Sequence, residues 1–310
     1  MLYTKNKVSI AIPAYKKTFL AEAIRSALKQ SYDNIELIIV NDNSPYDLKS
    51  IVYSFNDPRV VYYENEVNIG KDNIVKNWNR CIDLARGEFF VLLCDDDIIY
   101  PDFVKELVIL ANKYSTCNVF HAPKQVIDNS NNIVREDDFW PEWESLESFY
   151  EEKKRYKRFH TITEFLYRTE YIKKIKYIAF PVAWGSDDIS IINFIKEGGI
   201  ASANQYLAAF RMNNEHISKD NTYIFEKAKA RILNIYWLAE FFSHNKHDAD
   251  YMHFLDILMV EFIKRANILD KIRILFIVPF QSWNFIKKLK ILIGIFVGKY
   301  KHPGYGAIGV

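Results

Sequence analysis

The chain predicts an α/β fold, a Rossmann-like and mostly parallel sheet flanked by helices, followed by a helical C-terminal extension. Three observations predict it. Over the first hundred residues, short apolar runs bounded by turn residues alternate with stretches of helical spacing. The run Phe89-Phe90-Val91-Leu92-Leu93-Cys94 is apolar throughout, as a strand covered on both faces must be. Beyond residue 219 the strand signals stop, and the stretches 223–242 and 248–269 read as helices.

In chain order, residues 8–12 form a strand that ends at Pro13. Residues 19–30 place Leu20, Ile24, Ala27 and Leu28 on one helix face. Residues 36–40 are a second strand, followed by the loop Asn41-Asp42-Asn43-Ser44-Pro45. A helix over 47–55, a strand over 60–63 and a helix over 71–86 stopped by Gly87 come next. The strand 89–94 follows, and Pro101 stands where a helix's first turn begins. This alternation implies right-handed crossovers and parallel pairing. Beyond Tyr114 the pattern loosens. Strands are expected over 118–128, 160–168 and 206–211, and a helix over 190–196 before Gly198-Gly199. The aromatic-rich stretch 137–158 has no clear period, and 151–158 reads as a solvated helix face.

Composition narrows the function. A net charge of +2 argues against a general nucleic-acid binder. That charge is uneven: from Lys271 onward there are seven Lys/Arg and no Asp/Glu, leaving 34 basic against 39 acidic residues before it. A basic, apolar tail behind a more acidic body predicts peripheral contact with anionic membrane through 271–301, with a packed terminal helix as the alternative. Cys81, Cys94 and Cys117 fit no metal spacing and read as reduced core thiols. No signal peptide and no uncharged apolar stretch of 18 residues is visible, so a cytoplasmic protein at the inner face of the membrane is expected.

The chemistry is concentrated at Asp95-Asp96-Asp97, which follows the apolar run. Adjacent carboxylates repel one another. They become useful when Mn2+ or Mg2+ sits between them and substrate phosphates; the other reading is a solvated acidic turn. In open α/β sheets ligands bind beyond the carboxyl ends of the strands. Pro13-Ala14-Tyr15, Asn41-Asp42-Asn43 and the aspartate triplet all stand at such ends, which an acidic turn alone does not predict.

Several motifs in order carry a family resemblance: Val8 to Tyr15, Glu36 to Ser44, Asn68-Ile69-Gly70, Ala85-Arg86-Gly87-Glu88-Phe89, and the triplet with Pro101 four residues on. Together they resemble the family 2 inverting glycosyltransferases of GT-A fold over residues 7–218. The resemblance implies a catalytic domain over 1–218, with a nucleotide-binding half of about 1–100 and an acceptor half of about 101–218, then a helical region over 219–310. It implies that Pro13, Ala14 and Tyr15 line the nucleotide pocket, that Asp42 hydrogen-bonds the base of a UDP-sugar, and that Asn68 and Gly70 shape the pyrophosphate side. For Asp42 the alternative is an Asx turn before Ser44-Pro45, for Tyr15 plain packing, and for Gly70 a turn glycine. Lys71 and Arg80 are candidate phosphate contacts or simply a solvated helix face.

The triplet resembles the family's D-x-D motif, which implies Asp95 and Asp96 on the nucleotide side, and Asp95 with Asp97 at the metal. Many members read D-x-D-D, and Cys94 stands at the first position of that pattern. Trp184-Gly185-Ser186-Asp187-Asp188 resembles the family's acidic pair, whose aspartate is the general base. Counting from Gly199 selects Asp188 and counting from Gly198 selects Asp187; a helix cap is the alternative role. Arg211 to Ser218 resembles a closing Arg-x-His segment, with His216 displaced by three, so His216 is a candidate metal or phosphate ligand or a surface-loop residue. Trp140, Trp143, Tyr150 and Tyr156 are candidate acceptor-stacking residues, or ordinary packing.

The expected partners are a nucleotide-sugar donor and a saccharide or lipid-linked saccharide acceptor, in bacterial surface polysaccharide synthesis. A processive synthase would carry membrane-spanning helices and a Gln-x-x-Arg-Trp motif, and neither is present in the sequence. A sugar-phosphate nucleotidyltransferase would carry a Gly-rich first loop, where this chain has Pro13-Ala14-Tyr15-Lys16-Lys17. A non-catalytic nucleotide-sugar-binding protein of the same fold does not need both Asp97 and Asp188.

Overall fold

The computed structural model describes residues 3–155, 157–212, 223–242, 269–270 and 273. The chain divides into two compact units, Met1–Ala179 with Ser186–His216, and Phe180–Gly185 with Ile217–Val310.

The first unit is an α/β structure around a sheet of eight strands. Its regular part is β1 (Thr4–Ala14), α1 (Leu20–Leu28), β2 (Ile35–Asn41), α2 (Leu48–Tyr53), β3 (Val60–Glu64), α3 (Val75–Leu84) and β4 (Gly87–Leu92). Strands β3, β2, β1 and β4 lie side by side and pair in parallel. All of β2 is buried, which is why its sequence shows no polar alternation. Leu20, Ala23, Ile24 and Ala27 of α1 close one face over Val8, Ile10 and Ile12. Helix α3 starts at Val75, four residues later than its spacing predicts, where the Asn73 carboxamide accepts from the Val75 N–H at 3.1 Å.

The sheet continues beyond β4 with β10 (Phe165–Arg168), β6 (Val119–His121), β11 (Ile200–Ser202) and β9 (Trp143–Glu144). Strand β10 is antiparallel to both β4 and β6. A second sheet has the order β5 (Ile98–Ile99), β12 (Ala208–Arg211), β7 (Lys124–Ile127) and β8 (Ile133–Glu136). Helices α4 (Phe103–Lys113), α5 (Leu146–Lys154), α6 (Thr169–Ile175) and α7 (Ser186–Phe194) complete the unit.

Here the element boundaries differ from expectation. The strand expected over 118–128 is two strands in two sheets, broken at Ala122-Pro123, because proline has no N–H to continue a ladder. The strand expected over 160–168 begins only at Phe165. The stretch without period, 137–158, contains β9 and α5, the latter capped by Ser145, whose hydroxyl accepts from the Ser148 N–H at 3.3 Å. Helix α7 starts at Ser186 rather than at residue 190.

In the second unit, α8 (Ile224–Phe241) matches the helix expected over 223–242. The Asn234 side-chain amide donates to the Trp184 carbonyl at 3.1 Å. The turn Pro181–Ala183 puts Val182 and Ala183 at φ 48° and 57°, a conformation uncommon outside glycine and strained for a β-branched residue such as Val182. No helix among the described residues is long and apolar enough to cross a membrane. Apart from residues 269 and 273, the expected helix over 248–269 and the basic tail 271–301 lie outside the described residues, as do Asn213, His216 and Ser218.

Candidate active site

The carboxyl ends of β1, β2 and β4 meet at one edge of the sheet, and hydrogen bonds between their loops hold them there. The Asp42 N–H donates to the Ala14 carbonyl at 3.0 Å, and the Ser44 hydroxyl donates to the Tyr15 carbonyl at 2.6 Å. Asp95 Oδ2 accepts from the backbone N–H groups of Tyr15 and Lys16 at 2.9 and 2.8 Å. The loop after β1 is therefore folded onto the first aspartate of the triplet. Tyr15 has its side chain outside, 42% exposed, with a ring face available for stacking.

Asp42 is buried and its carboxylate organises the neighbouring loop. It accepts from the Asn65 amide at 2.8 Å and from the Ile69 and Gly70 N–H groups at 2.9 and 2.8 Å. A Cβ at residue 70 would lie 2.6 Å from Asp42 Oδ2, so any other residue there would have to displace the Asp42 carboxylate. The alternative role of Asp42, an Asx turn before Ser44-Pro45, is not what its carboxylate does; the Ser44 N–H is instead taken by the Asn41 side-chain oxygen, three residues before it, at 2.9 Å. Among the described residues, the buried side-chain oxygen of Asn68 beside this loop has no hydrogen-bond partner. Pro13, Ala14, Tyr15, Asp42, Asn68 and Gly70 are thus brought to one edge, while Lys71 and Arg80 are exposed on the surface.

The triplet divides its labour. Asp97 is 1% exposed and faces inward. Its Oδ2 accepts from the Thr163 hydroxyl at 2.5 Å, and its Oδ1 from the Arg211 N–H at 2.9 Å. Thr163 also accepts from the Cys94 N–H at 3.2 Å. Arg211, fully buried, donates to the Asp96 carbonyl at 2.9 Å and to Glu22 at 2.9 Å. Asp97 therefore ties the end of β4 to β12 and to the segment before β10. Asp95 and Asp96 face a cation: Lys16 Nζ lies 2.5 Å from Asp96 Oδ2 and 3.9 Å from Asp95 Oδ1.

Burial dominates the electrostatics. It pushes Asp95 up to about 6 against the pull of Lys16, and Asp97 up to about 7 with help from the Asp96 charge. Burial likewise holds the Cys94 thiol well above its ordinary value, so it stays protonated and is no substitute for the missing first carboxylate. Among the described residues no three His, Cys, Asp or Glu side chains converge into a cage. The donor set is a platform of hard carboxylate oxygens whose repulsion a cation relieves. That fits Mg2+ or Mn2+, which bind through one or two carboxylates with substrate phosphates and water supplying the rest.

A second acidic cluster stands on the first turn of α7. Burial pushes Asp187 up to about 7, and the charge of Asp188 adds to the rise. Asp188 is paired through Oδ1 with Lys153 Nζ at 2.6 Å, and His160 Nε2 lies 3.4 Å from the same oxygen. The segment 160–164 touches both clusters, with Thr163 on Asp97 and His160 against Asp188. It is itself pinned by Glu164, which accepts from the buried Lys124 ammonium at 2.7 Å and from the Thr161 N–H at 2.8 Å.

The acceptor side departs from expectation. Trp140 is buried and stacks on His121 with ring centroids 3.5 Å apart, so it packs the core rather than offering a sugar platform. The Trp143 ring is half exposed, with its N–H donating to the Gly198 carbonyl at 3.0 Å. The stretch 151–158 is not a plain solvated face, because Arg158 is buried and pairs with Glu144 at 2.8 Å, and Lys153 reaches Asp188. Tyr156 and His216 lie outside the described residues. Thr163, Lys153 and His160 carry no motif and no spacing signal that marks them in the sequence.

The model of the family described as "Glycosyl transferase family 2" matches residues 9–176. The putative colanic acid biosynthesis glycosyl transferase WcaA of Escherichia coli is 38% identical over 109 residues, covering 34% of this chain and 37% of that protein. The GalNAc(5)-diNAcBac-PP-undecaprenol beta-1,3-glucosyltransferase of Campylobacter jejuni is 34% identical over 110 residues, 34% of this chain and 35% of that one. The matches span 39% or less of the length of these and the first Rickettsia relatives. Among solved structures, S. aureus TarS 1-349 in complex with UDP-GlcNAc superposes with a TM-score of 0.60 at 16% identity, over 96% of this chain and 93% of that one. The mannosyltransferase PcManGT from Pyrobaculum calidifontis, in complex with GDP-Man and Mn2+, gives 0.54 at 14% identity, over 95% and 81%. These likenesses bear on the fold, which is of GT-A type.

Proposed function

The chain belongs to glycosyl transferase family 2, and from that premise we propose that it is a metal-dependent inverting glycosyltransferase. It takes a nucleotide-diphosphate sugar, a UDP-sugar by the resemblance at Asp42, and transfers the sugar to a saccharide or lipid-linked saccharide in bacterial surface polysaccharide synthesis. The observation that carries this reading is the meeting of the loops after β1, β2 and β4 at one sheet edge, bound together through Asp42 and Asp95. Such an edge offers an exposed ring, Tyr15, and a carboxylate platform within the reach of one nucleotide. The names of the Escherichia coli and Campylobacter jejuni relatives support the polysaccharide setting, and the nucleotide sugars in the TarS and PcManGT complexes support the donor class.

In this reading Tyr15 stacks on the base and the loop held by Asp42 and Gly70 borders the diphosphate. Asp95 and Asp96, the two carboxylates that face Lys16, would hold the metal in place of the Asp95 and Asp97 pair that the resemblance implies, because both Asp97 oxygens accept from Thr163 and Arg211, and Asp97 would fix their position. The divalent ion, when bound, offsets charge developing on the leaving diphosphate. Asp188 takes the proton from the attacking hydroxyl, and Asp187, held neutral at pH 6 and below by its raised pKa, leaves Asp188 as the anionic member of the pair. The membrane association expected of 271–301 is part of the same proposal.

The test is incubation with Mn2+ and a panel of nucleotide sugars, following melting temperature and release of the nucleoside diphosphate. Stabilisation that needs both nucleotide and metal, with slow diphosphate release, is expected. Stabilisation without hydrolysis or transfer would favour a binding module, and pyrophosphate release from a nucleoside triphosphate would sink the proposal.

A further inference from the structure

The contacts around Asp188 come from α5, an element whose sequence carries no motif. Lys153 is 19% exposed at the side chain, whereas its neighbour Lys154 is 49% exposed and pairs within the helix to Glu151. The two lysines therefore do different things. Lys153 Nζ spans from Asp188 Oδ1 at 2.6 Å to the Arg158 carbonyl at 3.2 Å. That carbonyl is itself fixed, since the Arg158 guanidinium grips buried Glu144 through two hydrogen bonds at 2.8 and 3.1 Å and lies over the Trp140 ring. Ser145 caps α5 at its other end. The ammonium is delivered to Asp188 from a braced support, not from a loose surface chain.

Among the described residues, Lys153 from α5, His160 from the segment before β10, and Asp187 beside it on α7 are charged or titratable groups that face Asp188. His160 is buried among the Phe149 and Phe165 rings, with its Nε2 3.4 Å from Asp188 Oδ1. Burial, reinforced by Lys153, holds its pKa well below the ordinary histidine value, so the ring is neutral. The positive charge applied to Asp188 by these groups is thus the Lys153 ammonium.

We propose that Lys153 is a positioning residue for Asp188, fixing the orientation and the negative charge of that carboxylate through the ion pair at Oδ1. The role rests on Asp188 being the base of the proposed transfer. A base at the mouth of an active site must be ionised before it meets the hydroxyl, and two neighbouring carboxylates work against that. A cation bound to one of them separates the two: Asp188 keeps its charge and Asp187 keeps its proton.

The test compares Lys153→Met and Lys153→Arg in the full-length protein across pH 5 to 9. With Lys153→Met, the acid limb of kcat/KM for donor turnover should move up by roughly half a unit to one unit. That corresponds to a loss of about three- to tenfold below the limb and convergence with the unaltered protein above it. The donor KM should not change, and Lys153→Arg should restore the limb. A loss that is equal at every pH, or one that arginine does not restore, would mean that Lys153 only braces α5 and would overturn the proposal. If no donor is turned over, the proposed activity fails separately. The inference is then read from the 13C carboxyl titration of Asp188, assigned by its absence in Asp188→Asn. An upward move of that titration in Lys153→Met supports the positioning role, and an unmoved titration overturns it.

Discussion

Two acidic clusters, Asp95-Asp96-Asp97 and Asp187-Asp188, are each met by a lysine, yet they are supported in different ways. The triplet is held by the backbone. Tyr15, Lys16 and Arg211 give it N–H groups from the loop after β1 and from β12, and Thr163 closes the inner side. In the second cluster Asp187 draws on backbone N–H groups of its own helix turn, whereas the Asp188 carboxylate meets the side chains of Lys153 and His160. A cluster fixed by peptide groups keeps its shape when a partner side chain moves, which suits a platform for a metal and a diphosphate. A carboxylate met by side chains, as Asp188 is, can be tuned by them, which suits a base whose charge must be set.

The largest effect expected of this difference is on stability. Asp97→Ala should leave the Thr163 hydroxyl and the Arg211 N–H buried without an acceptor, at a cost of about 2–4 kcal/mol. Asp188→Ala, at a side chain one-third exposed, should cost under about 1 kcal/mol. Chemical denaturation of the two variants checks this, and equal losses would break the comparison.

A smaller effect concerns pH. The folded pKa of Asp187 is raised, to about 7, so between about pH 4 and pH 7 the folded chain keeps a proton that the unfolded chain has lost. Its contribution to stability is therefore most favourable below pH 4 and declines as pH rises toward 7, after which it is flat. Asp187→Asn should remove that slope and gain on the unaltered protein by about 1–2 kcal/mol at pH 8, allowing for partial exposure. Melting curves at pH 5 and pH 8 measure it; a gap that does not widen with pH contradicts the assignment.

The smallest effect sharpens the comparison at the triplet. Lys16 and a divalent ion compete for Asp95 and Asp96. Lys16→Met should tighten Mn2+ binding without nucleotide by roughly threefold, about the worth of one partly exposed ion pair. Calorimetric titration with Mn2+ alone reads this, and an unchanged affinity would place the ion elsewhere.

The same difference explains what could be read in the sequence. Strands β1, β2 and β4 are buried on both faces, so their apolar runs and the polar residues at their ends stand out, and the edge that gathers Pro13, Asp42 and Asp95 follows from the rule for parallel sheets. The support of the second cluster has no such signature. Lys153 looks like any lysine of a charged helix, and its contact with the Arg158 carbonyl sits where Arg158 comes back past α5 to pair with Glu144. The division of 118–128 between two sheets likewise follows from tertiary pairing around Pro123. The inward turn of Asp97 depends on Thr163 and Arg211, 66 and 114 residues away in sequence.

The central claim is that the triplet binds the donor with a metal while Asp188 performs the transfer. It is tested most directly by Asp188→Asn with a nucleotide sugar that the unaltered protein hydrolyses. The variant should bind donor and Mn2+ with unchanged affinity while release of the nucleoside diphosphate falls by about 10²–10⁴-fold. Undiminished release from Asp188→Asn would contradict the account.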